Sequence, residues 1–264
     1  MRIFAVRTLA NCWALWRGFV LQLCDMKAFQ LTFVVAVVQP FAFVVLIVLA
    51  RPNPESEYLA RALAGTAVMG IWSNVVWSSG NLLRQERLEG TLAAVLVRPA
   101  SLVAVVLGRS LAVAVASTCI IGLTLLLASA LLGMELAVSP SPALALVLLL
   151  TIGSATALGV LLASIMLASR SGQRILGTLM YPVFALGGLV IPPESLPPFA
   201  RWLADLISLH YVTVMASDLA SNRPVQNEAV LWVLLLSAGY LAAGVLALHR
   251  SVHHGKAGGS LEFV

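Results

Sequence analysis

Charge is scarce in this sequence. Only 10% of its 264 residues are Asp, Glu, Lys or Arg, and 60% are hydrophobic. Soluble domains carry roughly 25% charged residues, and a soluble fold of this length cannot bury so much apolar surface. A lipid bilayer must therefore be the solvent for much of the chain. The composition predicts an all-α integral membrane protein.

Motifs of catalysis and nucleotide binding are missing as well. The sequence contains no G-x-x-x-x-G-K-[ST] phosphate loop, no G-x-S-x-G elbow, no H-E-x-x-H pair and no C-x-x-C pair. We therefore expect no enzyme activity, no resident cofactor and no metal site in this chain. Its cysteines have neither disulfide nor metal spacing and are expected to be free thiols: Cys12, Cys24 and Cys119.

Long apolar runs predict six membrane spans, because about 20 apolar residues cross a bilayer as a helix. The predicted spans are 31–49, 59–83, 102–132, 143–168, 175–193 and 229–248. Residues 1–28 predict an amphipathic helix in the membrane interface, with Trp13, Trp16 and Phe19 toward lipid. Four prolines lie within the seven positions 192–198, and the segment 194–222 continues from them as an amphipathic run. This segment predicts a re-entrant or interfacial helix pair.

The basic residues predict the orientation of these spans. Six spans place both ends of the chain on one side, and twelve of the sixteen Lys and Arg residues fall there. The positive-inside rule then puts both termini, with the tail 249–264, in the cytoplasm. The net charge of +5 is explained in this way and gives no argument for a nucleic-acid partner. The alanine- and valine-rich, lysine-poor composition suggests a bacterial source, and hence the inner membrane.

One charged stretch, RQERLEGTLAAVLVRPAS at residues 84–101, separates the second and third predicted spans. Glu86 and Glu89 come early, where a helix dipole favours acidic residues, and Pro99 ends or bends the element. Apolar residues recur within it at helical spacing: Leu88, Leu92, Val95 and Leu96. The pattern predicts an amphipathic cytoplasmic helix over 84–100, with charged residues facing water or a partner. A solvated loop is the alternative.

The residue order in this stretch resembles the signature of the type-2 ABC exporter permeases (the ABC-2 family), approximately E-x-x-x-G-T-L/W-E-x-L-x-x-T/S-P. Ala93 and Arg98 depart from the signature, where the family often has Glu and a Thr or Ser. The segment GGLVIPPESLPPFARWLADLISLHY is similar to the family's late G-x-x-x-P-x-x-x-L-P segment, with His210-Tyr211 where Pro-Tyr is frequent. The residues that match the signature are Glu86, Gly90, Thr91, Leu92, Leu96, Pro99 and Ser101.

The resemblance implies one transmembrane domain over 1–264 that serves as the permease subunit of an ATP-driven exporter. The charged stretch would be the coupling helix that docks on a separate ATPase. Two ATPase subunits would bind ATP and Mg, and a second permease copy or a paralogue would complete a pathway surrounded by membrane lipids. The implied function is efflux of a drug-like compound, a natural product or a lipid. The implied ATPase-coupling residues are Glu86, Arg87, Glu89, Gly90, Thr91, Leu92, Leu96 and Pro99.

Residues of the second span are candidates for the translocation path, although such residues also serve as packing contacts between helices. They are Trp72, Ser73, Asn74, Trp77, Ser78 and Asn81. Three alternatives stay open. A glycan-exporting permease of the same superfamily would use aromatic side chains such as Trp72 and Trp77. A non-transporting scaffold would need no ATPase. An ion-coupled carrier is disfavoured, because the middles of the spans contain no Asp, Glu or Lys.

Overall fold

The structure is a computed structural model. It describes residues 2–28, 56–91, 101–131, 141–168 and 197–257, together with short stretches at 37–38, 40–46, 49, 174, 177–178, 182–183 and 185–187. Every regular element in this part of the chain is an α-helix. The prediction of an all-α protein is therefore confirmed for the described residues.

The helices follow the apolar runs of the sequence. They are α1 (Arg2–Ala28), α2 (Ser56–Leu88), α3 (Leu102–Leu131), α4 (Pro142–Ala168), α5 (Pro198–Asp205), α6 (Ser208–Ala220) and α7 (Asn227–Ala257). Four of them, α2, α3, α4 and α7, are long and apolar enough to cross a membrane, and α5 with α6 forms a bent pair that would count as a fifth span. The described residues therefore contain four or five candidate spans, and the predicted number was six. The first and fifth predicted spans, 31–49 and 175–193, are described only in short stretches.

Helix α2 is the centre of the bundle. It packs against α3, α4 and α6, whereas α7 packs mainly on α4. In the most apolar segment of α2, 67% of the segment is buried, whereas only 17% of the corresponding segment of α7 is buried. The core between these helices includes the fully buried side chains of Trp72, Ile121 and Met215. The outward face of α7 is therefore left to lipid or to another chain.

Helix α1 packs directly against α3 through glycines. A Cβ atom added at Gly108 would overlap the carbonyl oxygen of Leu15, and one added at Gly18 would lie 2.9 Å from the carbonyl oxygen of Val105. Small residues at such positions let two helix backbones approach closely. On its outer side α1 exposes 59% of Trp13 and 61% of Trp16. A role for α1 in the membrane interface stays a prediction.

The predicted helix pair in 194–222 corresponds to α5 and α6, which meet at an angle of 90°. Pro198 is the first residue of α5, where a missing backbone N–H costs nothing. The bend follows at Leu206 and Ile207, whose backbone N–H groups donate to Leu203 and Ala204. The hydroxyl of Tyr240 on α7 donates to the carbonyl oxygen of Leu206. The bend is thus attached to α7 and is not a free loop.

The first part of the charged stretch continues α2 and does not begin the separate helix that was predicted. Residues 84–88 are the last turns of α2, and the chain then turns at Gly90, whose φ is +72°. The N–H of Thr91 donates to the Glu86 carbonyl at 2.9 Å, and that of Gly90 to the Arg87 carbonyl at 3.1 Å. This pair of bonds is a Schellman cap, which requires a left-handed residue such as glycine. The prediction of one continuous helix over 84–100 is therefore wrong at Gly90, and residues 92–100 lie outside the described ones.

Candidate functional site

The candidate site is a buried charge cluster centred on Arg109, the eighth residue of α3. Its side chain is only 6% exposed, although Arg109 lies within an otherwise apolar helix. The guanidinium forms an ion pair with Glu86 of α2 and another with Asp25 of α1, at 3.0 Å from Nη2 to Oδ2. Its Nε donates to the side-chain oxygen of Gln22 at 2.6 Å. We call these four residues the Arg109 cluster.

Three donor groups of one guanidinium thus bind three different side chains. The planar fork of arginine suits such an arrangement, because its N–H groups point in fixed directions. Two of the acceptors lie on α1 and one on α2, while the arginine itself lies on α3. The cluster therefore joins three helices at one point.

Glu86 is the inner partner of this cluster. One carboxylate oxygen, Oε1, pairs with Arg109, and the other, Oε2, accepts a hydrogen bond from the hydroxyl of Thr91. The residue is 8% exposed. A buried carboxylate needs both a counter-charge and hydrogen bonds to offset its lost hydration, and Glu86 has both. Through Thr91 it also fixes the first residue after the Gly90 turn.

The loop between α2 and α3 is anchored at both of its ends. Thr91 at the beginning is held by Glu86, and the backbone N–H of Ser101 at the end donates to the side-chain oxygen of Asn11 at 3.1 Å. Arg87 adds a link to α4, because its guanidinium donates to the carbonyl oxygen of Leu167 at 2.6 Å. That carbonyl lies in the last turn of α4, where acceptors lack helical partners and the helix dipole is negative.

Comparison with known protein families identifies the family of this chain. The family model of the ABC-2 type transporter matches residues 10–219. The chain belongs to the ABC-2 type transporter family. The match begins within α1 and ends one residue before the end of α6, and it includes the whole Arg109 cluster and nearly all of the bent pair. Among proteins of curated function, none matches the sequence. In this family the membrane subunit usually pairs with an ATPase subunit.

The predicted ATPase-coupling residues of this ABC-2 permease fall into three groups. Glu86 and Arg87 are bonded within the chain, as described above. Glu89, Gly90 and Thr91 are exposed, and Glu89 accepts a hydrogen bond from Gln85 at 3.0 Å. The others lie outside the described residues: Leu92, Leu96 and Pro99. Contact with an ATPase stays a prediction for all of them.

The predicted path residues of the permease divide between two sides of α2. Trp72 is 1% exposed in the core, and Ser73 is buried and donates to the Gly70 carbonyl at 3.1 Å. The other four recur at helical spacing on the less buried side, where Trp77 is 41% exposed: Asn74, Trp77, Ser78 and Asn81. A path along α2 therefore stays a prediction for those four, whereas Trp72 is part of the core.

The sequence analysis did not predict the contacts of Asn11, Gln22, Asp25 and Arg109. Two signals pointed to the cluster. Asp25 is the only acidic residue among the first 54. Glu86 and Arg109 lie on either side of one loop, and helices joined by a loop place such residues opposite each other. Within the described residues, no group of three His, Cys, Asp or Glu side chains has metal-site geometry.

Proposed function

We propose that this chain is the permease subunit of an ATP-driven exporter of hydrophobic or amphipathic small molecules. The family match supports a membrane transport component. The observation that carries the proposal further is the Arg109 cluster. It supports a mechanical role for the loop after α2, because that loop is fastened at both ends to several membrane helices.

A permease without its own ATPase must receive force through a rigid connection. A push on residues 92–100 would reach Thr91 and Ser101 first. Thr91 is bonded to Glu86 and so to Arg109, whereas Ser101 is bonded to Asn11. Displacement of the loop would therefore move the ends of α1, α2 and α3 together. Arg87 extends the same connection to α4.

This arrangement separates two roles among the charged residues of the loop. Glu86 and Arg87 are positioning residues, since their charges are used inside the chain. Glu89 is exposed, and it is the described acidic residue that we propose to contact the ATPase. Leu92, Leu96 and Pro99 complete the proposed docking element. Two ATPase subunits, each binding ATP and Mg, and two permease copies would form the transporter, with both termini in the cytoplasm of a bacterial cell.

An apolar cavity supports hydrophobic cargo. It has a volume of about 300 Å³ and lies among α2, α3, α4 and α6, near Leu63, Leu125 and Leu219. All of its lining residues are Ala, Gly, Val or Leu, so their side chains offer dispersion contacts and no hydrogen bonds. A glycan would find no polar side chain there. The partly exposed face of α2 with Trp77 would line the path between two copies.

Co-purification from the native membrane in mild detergent tests the proposal. We expect the tagged chain to retain an ATPase in stoichiometric amount and Glu89→Lys to lose it. Glu57→Lys is the matched control, because it reverses another exposed acidic charge at the other end of α2. Absence of any ATPase from the wild-type preparation in several detergents would contradict the proposal and favour a scaffold or an ion-coupled carrier.

A further inference from the structure

A second cavity lies far from the Arg109 cluster, at the bend between α5 and α6. Its volume is about 580 Å³, which is in the range of sites for drug-sized ligands. The end of α5, the beginning of α6 and the beginning of α7 form its walls. The end of α6 lies beside the beginning of α2, since Arg61 Nε donates to Ser221 Oγ at 2.6 Å. About 37 Å of helix separates Arg61 from Glu86 at 1.5 Å per residue.

Aromatic side chains form much of the lining. The rings of Tyr211 and Trp232 stack at 6.2 Å between centroids, and Trp202 contributes a third ring. Trp202 is 65% exposed and Trp232 is 43% exposed, so their surfaces remain accessible to a ligand. The faces of aromatic rings carry negative potential and attract cations, most strongly when the cation is weakly hydrated.

Two carboxylates line the same cavity. They belong to Asp205 at the end of α5 and Glu228 in the first turn of α7. Both side chains line this one space together with Tyr211. Within the described part of the chain, neither carboxylate forms an ion pair with Lys or Arg. Arg201, one turn before Asp205, is exposed and is not among the lining residues.

The walls of the cavity are fixed before any ligand arrives. The Tyr240 hydroxyl holds the α5–α6 bend through the Leu206 carbonyl. Helix α6 is anchored by Leu209, Val212 and Met215, which are 1% exposed or less. A preformed site loses little conformational entropy on binding. Two negative charges that form no ion pair within the described residues, held between such walls, give a field that favours a positive ligand.

We propose that this cleft binds an organic cation, such as an amine or a quaternary ammonium group, between Trp202, Tyr211 and Trp232 and against Asp205 and Glu228. The aromatic rings would contact the apolar substituents of the cation while the carboxylates balance its charge. Binding at this site requires neither an ATPase nor transport. The inference therefore goes beyond the proposed function and stands or falls separately from it.

Direct binding to the purified chain in lipid nanodiscs tests this inference. The probe is benzyltrimethylammonium, and neopentylbenzene is its uncharged counterpart of the same shape. We expect saturable binding of the cation, measured by calorimetry and by quenching of tryptophan fluorescence, and at least about tenfold weaker binding of the neutral probe. Equal affinity for both probes, or no saturable binding of the cation, would overturn the proposal without any variant.

Variants then locate the site. Glu228→Gln and Asp205→Asn keep the side-chain size, and each is expected to weaken binding of the cation about tenfold or more. Glu228→Asp retains the charge and is expected to keep most of the affinity. Glu57→Gln removes an exposed charge elsewhere and is expected to change nothing. Unchanged affinity in both amide variants would overturn the assignment, as would a disaccharide that binds in a Trp232-dependent, carboxylate-independent manner.

Discussion

The two ends of the bundle use carboxylates in opposite ways. Near the end of α2, both oxygens of Glu86 are bonded inside the chain and the side chain is almost fully buried. At the cleft beside α7, Asp205 and Glu228 line an open cavity and form no ion pair within the described residues. A charge that is neutralised internally holds helices together. A charge left without a counter-ion is available to a ligand.

The largest effect is expected from removal of the shared arginine. Arg109→Met leaves Glu86 buried without its counter-charge, which costs about 3–5 kcal/mol in the free energy of unfolding. Unfolding of the purified permease in increasing SDS, followed by circular dichroism, measures the loss. The double variant Arg109→Met with Glu86→Met should recover much of it. A single variant as stable as the wild type would show that the cluster does not hold α1, α2 and α3 together.

A smaller loss of stability is expected when the Glu86 carboxylate becomes an amide. Glu86→Gln keeps the shape but replaces charge-assisted hydrogen bonds to Arg109 and Thr91 with neutral ones, which removes about 2 kcal/mol of stability. The same SDS titration measures it. Asp25→Asn is the useful comparison, because the Asp25 side chain is 38% exposed and water replaces part of its interaction. An equal loss in both variants would contradict the inner position assigned to Glu86.

The turn that follows α2 is expected to contribute about 1–2 kcal/mol to the free energy of unfolding. Gly90 has φ +72°, and a β-branched residue at that position strains the backbone by roughly this amount. Gly90→Val should therefore lower the free energy of unfolding, whereas Gly90→Asn should be tolerated better because asparagine adopts left-handed backbone conformations. No atom lies within 4 Å of a Cβ built at this position. A difference between the two variants thus reports the backbone alone.

The smallest effect is expected at the open end. Glu228→Gln should change the free energy of unfolding by less than about 0.5 kcal/mol, because Glu228 forms no ion pair within the described part of the chain. The matched substitution Glu86→Gln changes the same atoms at the other end of the bundle. If Glu228→Gln destabilised the protein as much as Glu86→Gln, the distinction between a structural and a ligand-binding carboxylate would fail.

The positions of α3 and α4 could be predicted from the long apolar runs of the sequence. The predicted span 102–132 lies close to α3 (Leu102–Leu131), and 143–168 lies close to α4 (Pro142–Ala168). The end of α2 was misplaced because the charges from Arg84 to Glu89 were assigned to a separate helix. Glu86 and Arg87 instead continue α2, since their side chains find partners on α3 and α4. Charge alone does not reveal whether such partners exist.

The Arg109 cluster could be predicted only in part, because it depends on how α1 packs. The loop between α2 and α3 suggests that Glu86 and Arg109 are neighbours. The approach of Asp25 and Gln22 depends on the contact at Gly18 and Gly108, which joins helices far apart in sequence. Nothing in the local pattern fixes that contact. The cleft near Trp232 likewise arises from the 90° bend of α5 and α6, whose angle the prolines alone do not determine.

The most direct test of the central claim measures whether the helix ends joined by the Arg109 cluster move as one unit. Spin labels at two exposed positions, Trp16→Cys on α1 and Leu88→Cys on α2, in a background without native cysteines, report the distance between them by pulsed EPR. The measurement is made on the complex with its ATPase, with and without ATP. We expect the distance within one chain to stay constant while the distance between Leu88→Cys labels in two copies changes. A change within one chain on ATP binding would contradict the claim.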